Sequence, residues 1–460
     1  MATGSPKTKW NGRTQEPAVI NATNSMSSVS LSYEGKRSES SILDTLPASI
    51  RLLWQDSAQR QEQPANRLYY GDNLPILASL LREPTIRGNV RLIYIDPPFA
   101  TNSIFQSRSQ GDAYSDLLVG AHYIEFLRER LILLRDLLAD DGSIYVHLDE
   151  NMAFHIKVIM DEVFGRQHFR NWITRKKCNP KNYTRKTYGN VSDFILFYTK
   201  SDNYVWNRPV DQWTDERADK EYQYVEKESG RRYKKVPVHA PGTRNGETGM
   251  PWRGKLPPPG KHWQFPPRVL DEMDARGKIY WSPNGNPRRK VYLDESDGVA
   301  VQDIWLDYRD AHNQNIGITG YPTEKNPSLL ARIIQASSNP GDLVLDCFSG
   351  SGTTLAVASQ LDRRWIGIDN SIEAIATTLR RFAKGLEPMG DFVTKESLQT
   401  EETSLHKPAL WENADQSVGV EGSEQMPHII RDFSLHAAEP DGDELDGVLR
   451  QWEEWHKPIH

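Results

Sequence analysis

An apolar segment of the chain ends in a carboxylate followed by two prolines. The segment Val90-Arg91-Leu92-Ile93-Tyr94-Ile95 has the composition of a buried strand, and Asp96-Pro97-Pro98-Phe99 follows it directly. Pro98 excludes helical geometry for Pro97, and neither proline can donate a backbone hydrogen bond. The strand therefore ends at a stiff turn that offers a side-chain acceptor, backbone carbonyl acceptors and an aromatic ring. An amino group is the kind of ligand that such a turn can bind.

Strands and helices alternate on both sides of this turn. Periodicity predicts strands at 67–70, 90–95, 143–148, 343–346 and 365–369, a strand pair at 171–176 and 193–199, and helices at 74–81, 123–138, 151–164, 328–336, 353–360 and 372–382. Alternation of this kind favours an α/β fold with a doubly wound, mostly parallel sheet.

Three stretches of the 460 residues lack this regularity. Residues 1–45 are rich in Ser, Thr and Asn and are predicted to be disordered, with order beginning near Leu46. Residues 201–300 are loop-rich and typical of an insertion. Residues 391–460 form an acidic, weakly patterned tail, in which one amphipathic helix is predicted at 444–456.

The composition argues against several classes of protein. No apolar run approaches the roughly 18 residues of a membrane span, and the N-terminus lacks the layout of a secretory signal. The two cysteines, Cys178 and Cys347, lie far apart, which disfavours a disulfide framework and a zinc knuckle. We therefore expect a cytoplasmic protein with no metal and no membrane partner.

The net charge of −6 conceals an uneven distribution of charge. Residues 166–290 contain 27 Lys and Arg against 13 Asp and Glu, whereas the rest of the chain contains 29 against 49. The same 125 residues carry 6 of the 13 Trp and 8 of the 18 Tyr. A basic, aromatic-rich region can bind a polyanion such as nucleic acid, although a solvated basic face explains the charge equally well.

A second loop has the chemistry of a ligand site. The sequence Asp346-Cys347-Phe348-Ser349-Gly350-Ser351-Gly352-Thr353-Thr354 lies between a predicted strand and a predicted helix, where α/β sheets bind ligands. Its glycines allow close approach of the backbone, but it matches neither a phosphate-binding P-loop nor the dinucleotide fingerprint. The next strand ends at Asp369, whose carboxylate could accept hydrogen bonds from ribose hydroxyls. Loop and acid together favour a ligand that contains adenosine.

The two motifs together resemble those of the amino DNA methyltransferases, which use S-adenosylmethionine. The catalytic tetrad precedes the cofactor loop, which is similar to the circularly permuted beta group of that family. Three further stretches resemble its motifs and bring the number in family order to five: Gly71-Asp72, Phe194-Ile195-Leu196-Phe197-Tyr198-Thr199-Lys200 and Thr323-Glu324-Lys325-Asn326-Pro327. The stretch around Pro251-Trp252-Arg253-Gly254 falls where the family carries its target-recognition region. The resemblance covers residues 65–200 and 300–385.

The resemblance implies a division of the chain and a set of site residues. It predicts a seven-stranded sheet of the S-adenosylmethionine-dependent methyltransferase type, with a catalytic half at 46–200, a target-recognition insert at 201–300 and a cofactor-binding half at 301–390. The implied catalytic residues are Asp96, Pro97, Pro98 and Phe99. The implied cofactor-binding residues are Asp72, Thr323, Lys325, Asp346, Phe348, Ser349, Gly350, Ser351, Gly352, Thr353 and Asp369.

The implied reaction is methyl transfer to the N6 amine of adenine in double-stranded DNA, with the base flipped out against Phe99. Asp96 in place of Ser resembles the adenine-modifying members, and Phe99 departs from the commoner Tyr. Cytosine-N4 methylation, a non-catalytic DNA-binding subunit, and methylation of protein or RNA are the alternatives. The related glutamine-modifying proteins carry Asn at the position of Asp96, which counts against methylation of protein. A homodimer and a companion restriction or defence subunit stay open as partners.

Several other residues have two interpretations. Trp252, Trp263 and Trp281 could stack on DNA or could hold the insert together. His147 and His155 lie near acidic residues, but their spacing matches no pattern of metal ligands, so surface or packing roles are expected. Cys347 is expected to be a packing residue within the cofactor loop.

Overall fold

The computed structural model describes residues 29–55, 66–98, 120–179, 186–308, 324–384 and 430–455. In chain order its strands are β1 (Ile50–Gln55), β2 (Arg67–Tyr70), β3 (Val90–Ile95), β4 (Leu138–Leu148), β5 (Phe169–Lys176), β6 (Ser192–Thr199), β7 (Val210–Asp211), β8 (Tyr224–Val225), β9 (Arg232–Pro237), β10 (His239–Pro241), β11 (Lys261–Trp263), β12 (Ile279–Trp281), β13 (Pro287–Tyr292), β14 (Val299–Ala300), β15 (Ile304–Trp305), β16 (Leu343–Asp346), β17 (Arg364–Asp369) and β18 (Ser434–Ala438). Its helices are α1 (Glu39–Leu43), α2 (Asn73–Leu80), α3 (Ala121–Leu137), α4 (Ala153–Phe164), α5 (Asp215–Glu221), α6 (Pro267–Ala275), α7 (Pro327–Ser337), α8 (Thr353–Gln360), α9 (Ile372–Lys384) and α10 (Asp446–Trp455).

A ten-stranded sheet forms the centre of the molecule, in the order β1-β18-β2-β17-β16-β3-β4-β6-β5-β15. The six strands from β18 to β4 are parallel, and β5 and β15 run parallel to each other. Strand β6 is antiparallel to both of its neighbours, and β1 is antiparallel to β18. The α/β fold with a mostly parallel sheet is therefore confirmed. The described sheet has three strands more than the predicted seven, because β1, β18 and β15 extend its edges.

Helices cover both faces of this sheet, as expected for a doubly wound fold. Helices α2, α3 and α4 pack on one face, and α7, α8, α9 and α10 pack on the other. Strand β3 lies in the middle, where Ile93 contacts the first layer and Tyr94 the second. Its near-continuous apolar run follows from this burial on both faces.

The expectation of disorder up to residue 45 is wrong for residues 29–45. Helix α1 begins after Ser38, whose hydroxyl accepts from the amide of Ser41, and Ile42 is fully buried in the layer that contains α3 and α4. Tyr33 and Lys36 add polar contacts, to Glu125 of α3 and Glu162 of α4 respectively. Tertiary packing therefore orders a segment whose composition alone predicts disorder.

The acidic tail also contributes to the central sheet. Strand β18 pairs in parallel with β2 and in antiparallel with β1, and α10 buries Trp452 against Phe433 and Trp54. The predicted amphipathic helix is present at Asp446–Trp455. A description of residues 430–455 as a separate tail is therefore wrong.

The region at 201–300 is built from short strands around a small core of its own. Strands β12-β13-β9-β8 form one sheet, and β10-β11 and β14-β7 form two-stranded pairs. Trp252 and Trp263 are buried, and the ring of Trp252 lies 5.9 Å from that of Trp263 and 5.2 Å from that of Trp281. These tryptophans hold the region together, so the stacking interpretation is wrong for Trp252 and Trp263. Among the described helices, none has the length and apolar character needed to cross a lipid bilayer.

Candidate active site

Asp96 presents two different oxygens at the carboxyl end of β3. One carboxylate oxygen, Oδ2, lies 2.6 Å from Nζ of Lys325, and both side chains are largely buried. The other, Oδ1, is buried and accepts no hydrogen bond from any described residue. Pro97 is buried directly after it. The turn therefore holds a carboxylate by one oxygen and leaves the other as an unsatisfied acceptor, which is where a ligand is expected to donate.

The glycine-rich loop joins β16 to α8 in the position next to β3. Asp346 ends β16, where its carboxylate accepts from the amide of Phe348 at 3.0 Å and from the hydroxyl of Thr354 at 2.6 Å. Burial raises the pKa of Asp346 to about 7, although the hydrogen bonds from Thr354 and Phe348 act in the opposite direction. Burial also raises the pKa of Cys347 well above its ordinary value, so this thiol stays protonated and is a packing group.

Two glycines of the loop adopt backbone conformations that other residues rarely take. Gly350 has a φ of 50° and Gly352 a φ of 72°. A Cβ at Gly352 would lie 2.7 Å from the side chain of Thr378, so the loop also packs too closely on α9 to admit a side chain there. Ser349 Oγ is buried and has no hydrogen-bond partner among the described residues. The loop thus places the unsatisfied hydroxyl of Ser349 next to two glycines, whose backbone a ligand can approach closely.

Asp369 ends β17 and ties this loop to its neighbours. Its Oδ2 accepts from the amide of Gly350 at 2.8 Å, and its Oδ1 accepts from the amide of Ser371 at 2.9 Å. Its backbone carbonyl accepts from the amide of Gly71 at 3.0 Å. Burial raises the pKa of Asp369 to about 6, because these backbone donors only partly offset desolvation. The amide of Asn370 also donates to this carboxylate, which with about four lone-pair sites can still accept from a ligand hydroxyl.

The turn after β2 reaches the same loop through residues that the sequence did not single out. Asp72 Oδ1 accepts from the amide of Leu74 and, at 2.9 Å, from Nη2 of Arg130. The side-chain Nδ2 of Asn73 donates to the backbone carbonyl of Cys347 at 2.7 Å, and the side-chain Oδ1 of Asn73 accepts from Nε of Arg130. Arg130 lies on α3 and is buried. A helical arginine resembles a surface residue in sequence, so only the tertiary contact identifies it.

Phe126 and Phe348 provide apolar surface beside this turn. The guanidinium of Arg130 lies 3.6 Å from the centre of the Phe126 ring, and the rings of Phe126 and Phe348 are 6.1 Å apart. Flat apolar surface next to the carboxylate of Asp72 suits a purine ring with an exocyclic amine.

A buried ion pair connects the segment before α7 to the loop. Arg381 of α9 pairs with Glu324, and its Nη2 also donates to the hydroxyl of Ser351 at 3.2 Å. Burial lowers the pKa of Arg381, which Glu324 partly offsets. Ser351 in turn lies 3.1 Å from the hydroxyl of Thr353. This pair fixes the backbone next to Lys325 and so helps to place the cation that holds Asp96.

A chain of buried polar groups crosses the sheet below Asp96. The hydroxyl of Tyr94 lies 2.8 Å from Nδ1 of His147, and Nε2 of His147 lies 3.0 Å from the carboxylate of Asp193. Asp193 accepts two hydrogen bonds from Arg175. Burial alone would raise the pKa of Asp193, but His147 and Arg175 hold it well below its ordinary value. The packing role expected of His147 is therefore confirmed, and no group of His, Cys, Asp and Glu in the described parts of the chain has the arrangement of a metal site.

The structure thus brings together most of the residues selected from the sequence. Those that lie around one edge of the sheet are Asp72, Asp96, Pro97, Pro98, Lys325, Asp346, Phe348, Ser349, Gly350, Ser351, Gly352, Thr353 and Asp369. Phe99 and Thr323 lie outside the described residues. The contacts add Asn73, Phe126, Arg130, Glu324 and Arg381.

This donor set fits S-adenosylmethionine. The ligand carries an adenine, a ribose, and an amino acid next to a sulfonium, and the site has apolar rings beside Asp72, a carboxylate at Asp369 and the unsatisfied hydroxyl of Ser349. Acidic groups around the loop match the positive charge of a sulfonium. The free oxygen of Asp96 lies at the end of the neighbouring strand, where an acceptor amine would enter.

Comparison with known proteins gives the same assignment. The model of the N6/N4 methyltransferase family, described as DNA methylase, matches residues 90–380. The type II methyltransferase M.EcaI of Enterobacter cloacae is 46% identical over 412 residues, which cover 89% of this chain and 87% of that protein. The DNA adenine methyltransferase YhdJ of Escherichia coli is 27% identical over 319 residues, covering 69% and 82% of the two chains.

Among solved structures, the M1.HpyAVI–SAM complex superimposes with a TM-score of 0.38 at 18% identity, over 68% of this chain and 98% of that one. The family match and the M.EcaI relationship span both motifs and the sheet that joins them. The chain therefore belongs to the N6/N4 DNA methylase family, whose members transfer a methyl group from S-adenosylmethionine to an exocyclic amine of DNA.

Proposed function

We propose that this member of the family methylates the N6 amine of adenine in duplex DNA and belongs to the circularly permuted beta group. The observation that carries the proposal is the buried, unsatisfied Oδ1 of Asp96, held in place through Oδ2 by Lys325. A carboxylate at the first position of the tetrad resembles the adenine-modifying members. The relative YhdJ is a DNA adenine methyltransferase, which supports the same base.

The order of the motifs supports the beta-group assignment. The turn at Asp96 precedes the glycine-rich loop by about 250 residues of sequence, yet β3 and β16 are adjacent and parallel in the sheet. A permuted chain keeps this adjacency while exchanging the order of the two halves. The inner seven strands, β2-β17-β16-β3-β4-β6-β5, then correspond to the predicted seven-stranded sheet.

Asp96 acts on the amine chiefly as a hydrogen-bond acceptor. The lone pair of an exocyclic amine is delocalised into the ring, which makes the nitrogen a poor nucleophile. When Oδ1 of Asp96 and the carbonyl of Pro97 accept its two hydrogens, the nitrogen moves towards tetrahedral geometry and its lone pair becomes available. As the new N–C bond forms, the nitrogen loses one proton, which Oδ1 of Asp96 can accept before passing it to solvent.

The cofactor site is assigned from the same residues. S-adenosylmethionine, when bound, would supply the methyl group, and its sulfur would keep the electron pair of the broken carbon–sulfur bond as the sulfonium becomes a neutral thioether. Asp72, with Phe348 and Phe126, would hold its adenine, and Asp369 its ribose. The loop from Ser349 to Thr353 and the segment with Thr323 and Lys325 would hold the methionine portion.

Access to the base and choice of sequence fall to other parts of the chain. An adenine within a duplex cannot reach Oδ1 of Asp96, so we propose that it is flipped out and stacks on Phe99. The insert at 201–300 is proposed to read the target sequence. The proposal places the enzyme in the cytoplasm with its DNA, as a homodimer or beside a restriction or defence subunit.

Two other functions share part of this site. A cytosine-N4 methyltransferase would use the same acceptor for a different amine. A DNA-binding subunit without turnover would keep the fold, but it would have no use for an unsatisfied carboxylate oxygen in a buried site.

The test is transfer of a labelled methyl group from S-adenosylmethionine to unmethylated duplex DNA, followed by digestion to nucleosides. The proposal predicts label in N6-methyldeoxyadenosine, and heat-denatured enzyme provides the blank. Label in N4-methyldeoxycytidine would retain the mechanism and correct the base. Absence of label in genomic DNA from several unrelated sources, despite cofactor binding, would overturn the proposal in favour of a subunit without turnover.

A further inference from the structure

Tyr123 carries a buried hydroxyl that forms no hydrogen bond with any described residue. The residue lies in the first turn of α3 and is 2% exposed. Its hydroxyl oxygen is buried and has no hydrogen-bond partner among the described residues. Most buried hydroxyls in proteins are paired, so an unpaired one beside a functional site points to a ligand that is bound in another state.

The topology places Tyr123 next to the catalytic turn. Helix α3 connects β3 to β4, so its first turn lies at the carboxyl ends of these two parallel strands, close to Asp96. The ring of Tyr123 is 6.5 Å from that of Phe126 one turn later on the same helix face, and Phe126 in turn faces Phe348. This face of α3 therefore lines the site from the cofactor loop to the end of β3.

The surrounding charges keep the hydroxyl protonated. Burial raises the pKa of Tyr123, and the negative charges of Asp149 and Asp96 raise it further. The hydroxyl is therefore a hydrogen-bond donor throughout the working range of pH. The oxygens of Asp149, at the end of β4, accept instead from the amides of Asn151 and Met152 and from the side chain of Asn151.

Two unsatisfied groups of opposite kind thus lie near the carboxyl end of β3, one on the turn after this strand and one in the first turn of α3. Oδ1 of Asp96 is an acceptor, and the hydroxyl of Tyr123 is a donor. The amine edge of adenine or cytosine offers the matching pair, an N–H donor beside a ring nitrogen that accepts. Thymine has no exocyclic amine and does not match, and guanine has a carbonyl oxygen at the ring position where adenine has its amine.

We propose that the hydroxyl of Tyr123 donates a hydrogen bond to a ring nitrogen of the flipped base, beside the amine that Asp96 accepts. This inference rests on the proposed function and names a base-binding residue for it. Asp96 and Tyr123 together would fix both the position and the rotation of the ring. The reactive nitrogen is then aimed as well as activated.

The test combines the variant Tyr123→Phe with modified bases in a duplex that carries the mapped target. Methyl transfer is measured on adenine, on 1-deazaadenine and on 7-deazaadenine, each of which replaces one ring nitrogen by carbon. We expect Tyr123→Phe to lower kcat/KM on adenine by about tenfold or more, the loss typical of an unmade hydrogen bond in a buried site. On one of the two analogues, wild type and variant should then be equally slow.

Two further readouts separate a ligand contact from a structural role. Since the hydroxyl has no hydrogen-bond partner among the described residues, Tyr123→Phe should leave the Tm unchanged or raise it, and the affinity for S-adenosylmethionine should stay the same. Tyr145→Phe is the matched control, because this buried hydroxyl has a partner, Ser337, at 2.7 Å on the far side of the sheet. That variant should show no coupling to either analogue.

Equal losses on adenine and on both analogues, or a near-normal rate for Tyr123→Phe, would overturn the inference. A lower Tm with unchanged selectivity would assign the hydroxyl to folding and would overturn it as well. These results require an active wild-type enzyme. A wild type that methylates no DNA would instead overturn the proposed function, and the inference with it.

Discussion

The carboxylate of Asp96 is asymmetric in its environment, and the proposed chemistry depends on this. Lys325 holds Oδ2, so the charge has a partner, while Oδ1 stays unpaired within the described site. A buried polar atom without a partner costs stability in the free protein. A substrate amine that satisfies Oδ1 recovers this cost on binding, so the same atom that destabilises the free enzyme attracts the substrate.

Asp369 and Asp96 are predicted to separate cofactor binding from methyl transfer. Asp369→Ala removes the acceptor of the Gly350 and Ser371 amides and should weaken binding of S-adenosylmethionine about tenfold or more, as expected for lost charge-assisted hydrogen bonds. Asp96→Ala should change this affinity by less than about threefold, because its oxygen faces the base. Isothermal titration measures both variants, and each serves as the control of the other. Wild-type cofactor affinity for Asp369→Ala would contradict the site as assigned.

Gly352→Ala is predicted to destabilise the protein more than Gly341→Ala. Both positions have positive φ, 72° and 83°, so both variants suffer the backbone cost of about 1–2 kcal/mol. A Cβ at Gly341 meets nothing within 4 Å, whereas one at Gly352 meets Thr378 at 2.7 Å and should add about 1–3 kcal/mol. Urea unfolding gives the two free energies. Equal losses would show that the loop can move away from α9.

At the scale of the elements, the sequence predicts the centre of the sheet better than its edges. Strand β3 occupies the predicted residues, since its apolar run and the prolines after it are local signals. Strand β18 and helix α1 were missed, because each is short and is stabilised by partners far away in sequence. The contacts of Arg130 and Arg381 were missed for a similar reason. Each lies on an amphipathic helix, where periodicity shows burial but not which partner the side chain meets.

The ends of β16 and β17 are predicted to make stability depend on pH. The folded-state pKa values of Asp346 and Asp369, about 7 and about 6, exceed the ordinary value of 3.8. The folded protein therefore binds more protons than the unfolded chain between about pH 4 and pH 7. Because of these two groups, the free energy of unfolding decreases as the pH rises through that window.

Asp346→Asn tests this dependence in the protein without cofactor. The amide is neutral at every pH and can still accept from Phe348. The free energy of unfolding of the variant should increase relative to that of wild type as the pH rises from about 4 to about 7. Above about pH 7 the difference between the two should stay constant. Comparing the two proteins at each pH cancels the other titrating groups. A difference that does not change with pH would place the Asp346 carboxyl in an ordinary environment.

At the scale of the whole molecule, the central sheet and the region at 201–300 are assigned different roles, methyl transfer and DNA binding. The sheet brings the two motifs together although about 250 residues separate them. The region at 201–300 carries many of its basic side chains in ion pairs, such as Arg231 with Asp294 and Glu295. Arg288 on β13 is exposed and has no ion-pair partner in the described part of the chain, which leaves it available for a phosphate.

Arg288→Ala is predicted to weaken DNA binding in a salt-dependent way. Loss of one phosphate contact should reduce the slope of log K against log salt by about 1 and leave the rate at saturating DNA unchanged. Arg231→Ala is the control, because that guanidinium is already neutralised and should change the slope much less. Fluorescence anisotropy across a salt series measures both. Identical slopes for wild type and Arg288→Ala would exclude this arginine from the DNA contact.

The most direct measurement of the central claim is the single-turnover rate of methyl transfer by Asp96→Asn, at saturating S-adenosylmethionine and DNA. The variant keeps the shape of the side chain and removes its charge. We expect a rate lower by about two to three orders of magnitude, which is the usual effect of removing a preorganised electrostatic contact, and an unchanged affinity for the cofactor. A rate close to that of wild type would contradict the assignment of Asp96 as the acceptor that activates the amine.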